Sequence, residues 1–143
     1  MPLTVAFAED DWPSHHVEFI HGDTGCLELA LDWDTGALKK LVLVLCQSYV
    51  ECDEVLAAPA IPSEVLRFDP VSEIRCPCFS LTTYRDGASL QLGDTSPREW
   101  FRMGQVLFGF GSNGNVQEVL VSGMSGLEIA HLKAEVDIIV SGA

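Results

Sequence analysis

Large apolar residues at Leu27, Leu29, Leu31 and Trp33 alternate with Glu28, Ala30, Asp32 and Asp34. Strand side chains point alternately to opposite faces, so this period predicts a half-buried strand. Leu27, Leu29, Leu31 and Trp33 then face the core, and Asp32 and Asp34 share the wetter face. Asp34-Thr35-Gly36 follows, which is turn chemistry because glycine accepts a positive φ without a Cβ clash. The chain resumes as "ALKKLVLVLC", apolar on both faces from Leu41 to Cys46. That run predicts a central strand covered on both sides. The same form recurs where Gly114-Asn115-Val116-Gln117-Glu118-Val119-Leu120-Val121 matches Gly36 to Leu43. A third hairpin is expected at "TTYRDGASLQLG", turning at Asp86-Gly87. Three hairpins, with shorter apolar runs at Leu3 to Ala8 and Val17 to Ile20, predict an antiparallel meander.

Helical signals are fewer. Ser125-Gly126-Leu127-Glu128 fits the capping box Ser-x-x-Glu, in which each side chain satisfies the other residue's backbone N–H. It predicts a helix over 126–134, with the tail "EVDIIV" as a last strand. Pro59, Pro62 and Pro70 fragment the stretch between Gln47 and Cys76. Ser63 to Leu66 is a candidate start of one short helix turn, and Asp94 to Trp100 is read as a loop or a helix start with Pro97 at its first position. The expected fold is a single α+β domain over residues 1–143. It is mainly antiparallel sheet of six to eight strands, with one C-terminal helix and one or two short helices.

Charge sharpens the picture. The 143-residue chain carries 21 acids against 8 Lys and Arg, a formal net charge of −13. Eight acids (Glu9, Asp10, Asp11, Glu18, Asp23, Glu28, Asp32 and Asp34) precede Lys39, the first basic residue. Such a chain repels nucleic acid and anionic membranes, which are polyanions, and attracts basic partners. No apolar run nears the ~20 residues of a membrane helix. The N-terminus has no basic region ahead of an apolar one, so it is not expected to be a signal peptide, and the chain reads as cytoplasmic. Five cysteines at irregular spacing are expected to be thiols.

Several short motifs invite a chemical reading. Asp32-Trp33-Asp34-Thr35-Gly36 opens like a calcium loop. Such a loop needs a fifth-position oxygen, a sixth-position Gly and an acid at position twelve. Here the fifth position is Gly36 and the twelfth is apolar Leu43, so a turn is expected and no metal. Cys76-Pro77-Cys78 is too closely spaced for half of a zinc site, although His15, His16 and His21 offer further ligands in space. "GFGSNG" has the glycine spacing of a dinucleotide loop but runs into a strand, not a helix. His131 on the helix and the His–acid neighbours lack any nucleophile elbow, so no enzyme activity and no cofactor are expected. The remaining candidates form a partner-binding set: Glu9, Asp10, Asp11, Trp12, Asp32 and Asp34. An aromatic anchor among acids suits a binding hot spot.

The small acidic single domain, the "LELALDWDTGALKKLVLVL" and "FGSNGNVQEVLVSG" hairpins and the "MSGLEIAHLKA" helix together carry a resemblance. The chain resembles in architecture the immunity proteins of bacterial contact-dependent inhibition and related polymorphic toxin systems. The resemblance implies a protein that binds and neutralises a cognate toxin domain, often a basic nuclease. It implies no fixed site residues, because the class diverges with its toxins. Two alternatives remain: a small-molecule or metal-binding domain using Cys76, Cys78, His15 and His16, and a structural subunit that pairs through a sheet edge.

Overall fold

The computed structural model describes residues 3–8, 13–44 and 49–141. Among these residues, eleven strands form two sheets. The first has the order β1 (Leu3–Ala6), β4 (Leu38–Leu43), β3 (Thr24–Asp32), β2 (Ser14–His21) and β6 (Glu73–Arg75). The second has the order β5 (Tyr49–Glu51), β7 (Ser80–Thr83), β8 (Ala88–Gln91), β11 (Val116–Val121), β10 (Val106–Phe110) and β9 (Glu99–Met103). All pairings are antiparallel except β2–β6 and β5–β7. The fold is thus the expected α+β class, mainly antiparallel sheet with a C-terminal helix.

All three expected hairpins are present, as β3–β4, β7–β8 and β10–β11. Their alternating residues meet in one core. Leu27, Leu29, Leu41 and Leu43 come from the first sheet. Leu81, Leu90, Val106, Phe108, Val119 and Val121 come from the second. Leu43 is fully buried in β4, which has β1 on one side and β3 on the other.

Within that class, four details differ from expectation. Among the described residues the strands number eleven in two sheets, where an antiparallel sheet of six to eight is expected. β5 and β6 are three residues each and flank or lie in the proline-broken stretch, where no periodicity can show a strand that short. The tail read as a strand belongs instead to the helix α1 (Gly126–Ser141). Ile129, Leu132 and Val136 are buried at helical spacing, and burying that stripe overrides the β-preference of the tail. Ser63 to Leu66 is extended rather than helical, and among the described residues α1 is the one helix.

The fourth difference is Trp33, expected in the core and instead 56% exposed. It keeps the face of Leu27, Leu29 and Leu31, but β3 ends at Asp32. Its ring therefore projects past the edge of the core.

The extended segment 61–68 joins the two sheets. At one end, Glu64 N–H donates to the Arg102 carbonyl on β9, and Arg102 Nη1 donates to the Ile61 carbonyl. At the other end, Leu38 N–H donates to the Leu66 carbonyl, and Phe68 N–H to the Gly36 carbonyl. Between them Leu66 is buried, and Phe68 meets Phe108 edge-to-face with ring centroids 5.1 Å apart. The prolines suit this role, because they resist helix and hold the chain extended.

Candidate partner-binding surface

Asp32 organises the β3–β4 turn. Its Oδ1 accepts hydrogen bonds from the N–H of Asp34 (3.0 Å), the N–H of Thr35 (2.9 Å) and the Thr35 hydroxyl (3.1 Å). The two Thr35 bonds chiefly, then the Asp34 N–H and the Lys39 charge, hold this exposed carboxyl below the ordinary range. Gly36 closes the turn at φ 75°. Among the described residues no group of three or more metal-ligating side chains is assembled. Asp32 spends its carboxylate on the turn itself, as an Asx turn does, and the Asp34 carboxylate takes no part in those bonds.

Beside this turn, Trp33 stacks on His15 from the neighbouring strand β2. The ring centroids are 3.9 Å apart and the planes 9° from parallel. Pro13, Asp32, Trp33 and Asp34 line a concavity of about 330 Å³. Of the residues nominated from sequence, Glu9, Asp10 and Asp11, together with Trp12, lie outside the described residues. Pro13, the next residue in the chain, is part of this wall.

The outward face of the first sheet adds acids that sequence order hides. Glu18 on β2 stands directly opposite Glu28 on β3 and, on its other side, opposite Glu73 on β6. Three glutamates therefore lie in a row across three adjacent strands. Only Glu18 and Glu28 share a hairpin; Glu73 is far along the chain, and no local pattern connects it to them. His16 pairs with Glu28, and Arg75 with Glu73 at 3.0 Å. The Glu18 side chain lies over Gly25, where a Cβ would collide with it. Like charges directly opposite on a sheet are destabilising. Elsewhere Arg85 pairs with Asp53 and Lys133 with Glu51, so these surface cations are already engaged.

The other sequence candidates are placed clearly. His15 and His16 lie at the start of β2, whereas Cys76 bonds to its far end, donating its N–H to the Ile20 carbonyl at 2.7 Å. Five residues of strand separate His15 from Ile20, roughly 17 Å at about 3.3 Å per residue. His15, His16, Cys76 and Cys78 are therefore not brought together. His21 does reach Cys76, but through the Cys76 carbonyl at 3.0 Å rather than its sulfur. Burial, with Cys26 and Cys78 nearby, pushes the Cys76 thiol up to about 11. Such a thiol is a poor nucleophile and a poor metal ligand. Gly109 to Gly114 serves the β10–β11 hairpin, where Gly111 N–H donates to the Asn115 carbonyl. Ser125 and Glu128 form the expected capping box, at 2.9 and 3.1 Å. His131 is exposed on α1, beside Glu135. No helix of the described residues is long and apolar enough to cross a membrane.

No protein-family model matches the chain, and no curated protein matches it.

Proposed function

We propose that this protein is an immunity protein that binds a basic toxin domain and neutralises it. The observation that carries the reading is the row Glu28–Glu18–Glu73 on the outer face of the first sheet. Three carboxylates side by side concentrate negative charge that a basic partner neutralises on docking. Past the end of β3, the exposed Trp33 beside Asp32 and Asp34 adds an aromatic group able to bury area in an interface. The net charge of −13 favours fast encounter with a positively charged partner in the cytoplasm. The first sheet offers a broad face for docking.

The experiment is co-expression. A toxin domain encoded beside the gene of this protein is expressed with and without it, and cell growth is followed. Growth restored by the wild-type chain, and lost when Glu18, Glu28 and Glu73 are all replaced by Gln, supports the reading. Growth arrest despite soluble wild-type protein refutes it.

A further inference from the structure

The concavity beside Trp33 has a composition more specific than an acidic surface. Its aromatic wall is held flat and fixed by the parallel stack on His15. One face of the indole is thus used internally, while the residue remains 56% exposed. Pro13 adds a second apolar group to its lining, and Asp32 and Asp34 add carboxylates. Asp32 is anchored by three donors to a single oxygen, so that charge is fixed in position as well as in sign. The described lining, a fixed aromatic ring, a proline and two carboxylates, fits a planar cation. A guanidinium stacks on aromatic surface, is weakly hydrated, and donates two parallel hydrogen bonds to a carboxylate. An ammonium is compact and strongly hydrated, and it gains less from the flat wall.

We propose that this concavity receives an arginine side chain of the partner, stacked along the Trp33 indole and hydrogen-bonded to the Asp34 carboxylate. The proposal rests on the partner-binding reading above and names the chemistry that the partner brings to this end of the surface. Trp33 then acts as a specificity element. The glutamate row attracts any basic surface, whereas the concavity distinguishes arginine from lysine.

The test uses the full-length protein, labelled with ¹⁵N and followed by NMR. The indole N–H signal of Trp33 is identified by its loss in Trp33→Phe. Three probes are titrated: Nα-acetyl-arginine amide, its lysine counterpart, and the citrulline counterpart, which keeps the shape of arginine without the charge. The expected result is a saturable shift of the Trp33 signal and the Asp34 amide with the arginine probe. Binding should be several-fold weaker with lysine and undetectable with citrulline. Asp34→Asn should weaken arginine binding by about three- to tenfold, as loss of a charge-assisted bidentate contact does. Equal response to arginine and lysine, or a Trp33 signal unmoved by either, overturns the proposal. A positive titration with a failed toxin screen keeps the arginine site and removes the immunity reading. A toxin complex formed equally well by wild type and Trp33→Ala, with no probe binding, removes the arginine site alone.

Discussion

Phe68 and Gly36 meet through their backbones: the Phe68 N–H donates to the Gly36 carbonyl at 3.0 Å, and a Cβ on Gly36 would stand 2.7 Å from the Phe68 carbonyl oxygen. This contact fastens the segment 61–68 to the turn that carries Trp33. Gly36 is also at φ 75°, where an L side chain is strained by about 1–2 kcal/mol. Gly36→Ala should therefore cost more than that strain, because the clash adds to it. Gly114 is the matched control. It has φ 80° and open space where a methyl group would stand, so Gly114→Ala should cost the strain alone. Denaturant melts of the two variants separate the clash from the strain. Equal losses would mean that the Phe68 contact yields freely.

The core of the first sheet predicts a larger effect. Leu43 is fully buried on β4, and Leu43→Ala removes its burial and leaves a cavity. The expected loss is about 2–5 kcal/mol. A midpoint of denaturation close to wild type would show that the neighbouring strands collapse onto the vacated space.

The glutamate row predicts a gain. Replacing Glu18 by Gln removes the charge flanked by Glu28 and Glu73 while keeping the side chain's length. The free protein should become more stable by roughly a few tenths of a kcal/mol, the scale of cross-strand pairs. The gain should shrink as salt screens the repulsion. The same variant should associate with its partner more slowly. Thermal melts at low and high salt measure the first effect. A destabilised Glu18→Gln protein would mean that Glu18 is held by favourable contacts and that the row is not repulsive.

The three hairpins and the capping box are legible in the sequence because each is written in a few contiguous residues. The arrangement of two sheets is not, since β6, too short to show a period, joins β2 by a pairing across more than fifty residues. Trp33 shows a subtler limit. Its alternation with Leu31 fixes its face but not where the core stops, which depends on the opposing sheet and on segment 61–68. Asp32 and Asp34 read as turn residues on spacing alone, and the bonds to Asp32 give the reason. Glu73 has no sequence signal linking it to Glu18.

Asp32 makes the β3–β4 turn sensitive to pH. Its folded-state carboxyl is held below the ordinary value, so its contribution is present above the unfolded-state value of about 3.9 and is lost as pH falls through the folded value. Asp32→Ala should therefore be less stable than wild type at neutral pH. The difference should narrow as acid protonates the wild-type carboxyl. Asp32→Asn keeps the Oδ1 acceptor and should fall between the two. Calcium should not change the melting of any of them. A wild-type melting temperature raised by calcium, with the rise lost in Asp32→Asn combined with Asp34→Asn, would contradict the turn assignment.

The central claim is that an acidic face with an aromatic anchor docks a basic toxin domain, and surface-based binding kinetics test it most directly. Wild type, Trp33→Ala and the triple variant with Glu18, Glu28 and Glu73 replaced by Gln are compared against the toxin domain. Each is measured at physiological salt and at roughly half-molar salt, where the Debye length falls from about 8 Å to roughly half that. Charge removal and added salt should each slow association with little change in dissociation, because long-range attraction acts on encounter. Trp33→Ala should speed dissociation and leave association nearly unchanged, because the anchor acts after docking. Kinetics insensitive to both the glutamates and Trp33, with tight binding intact, would place the interface elsewhere and contradict the account.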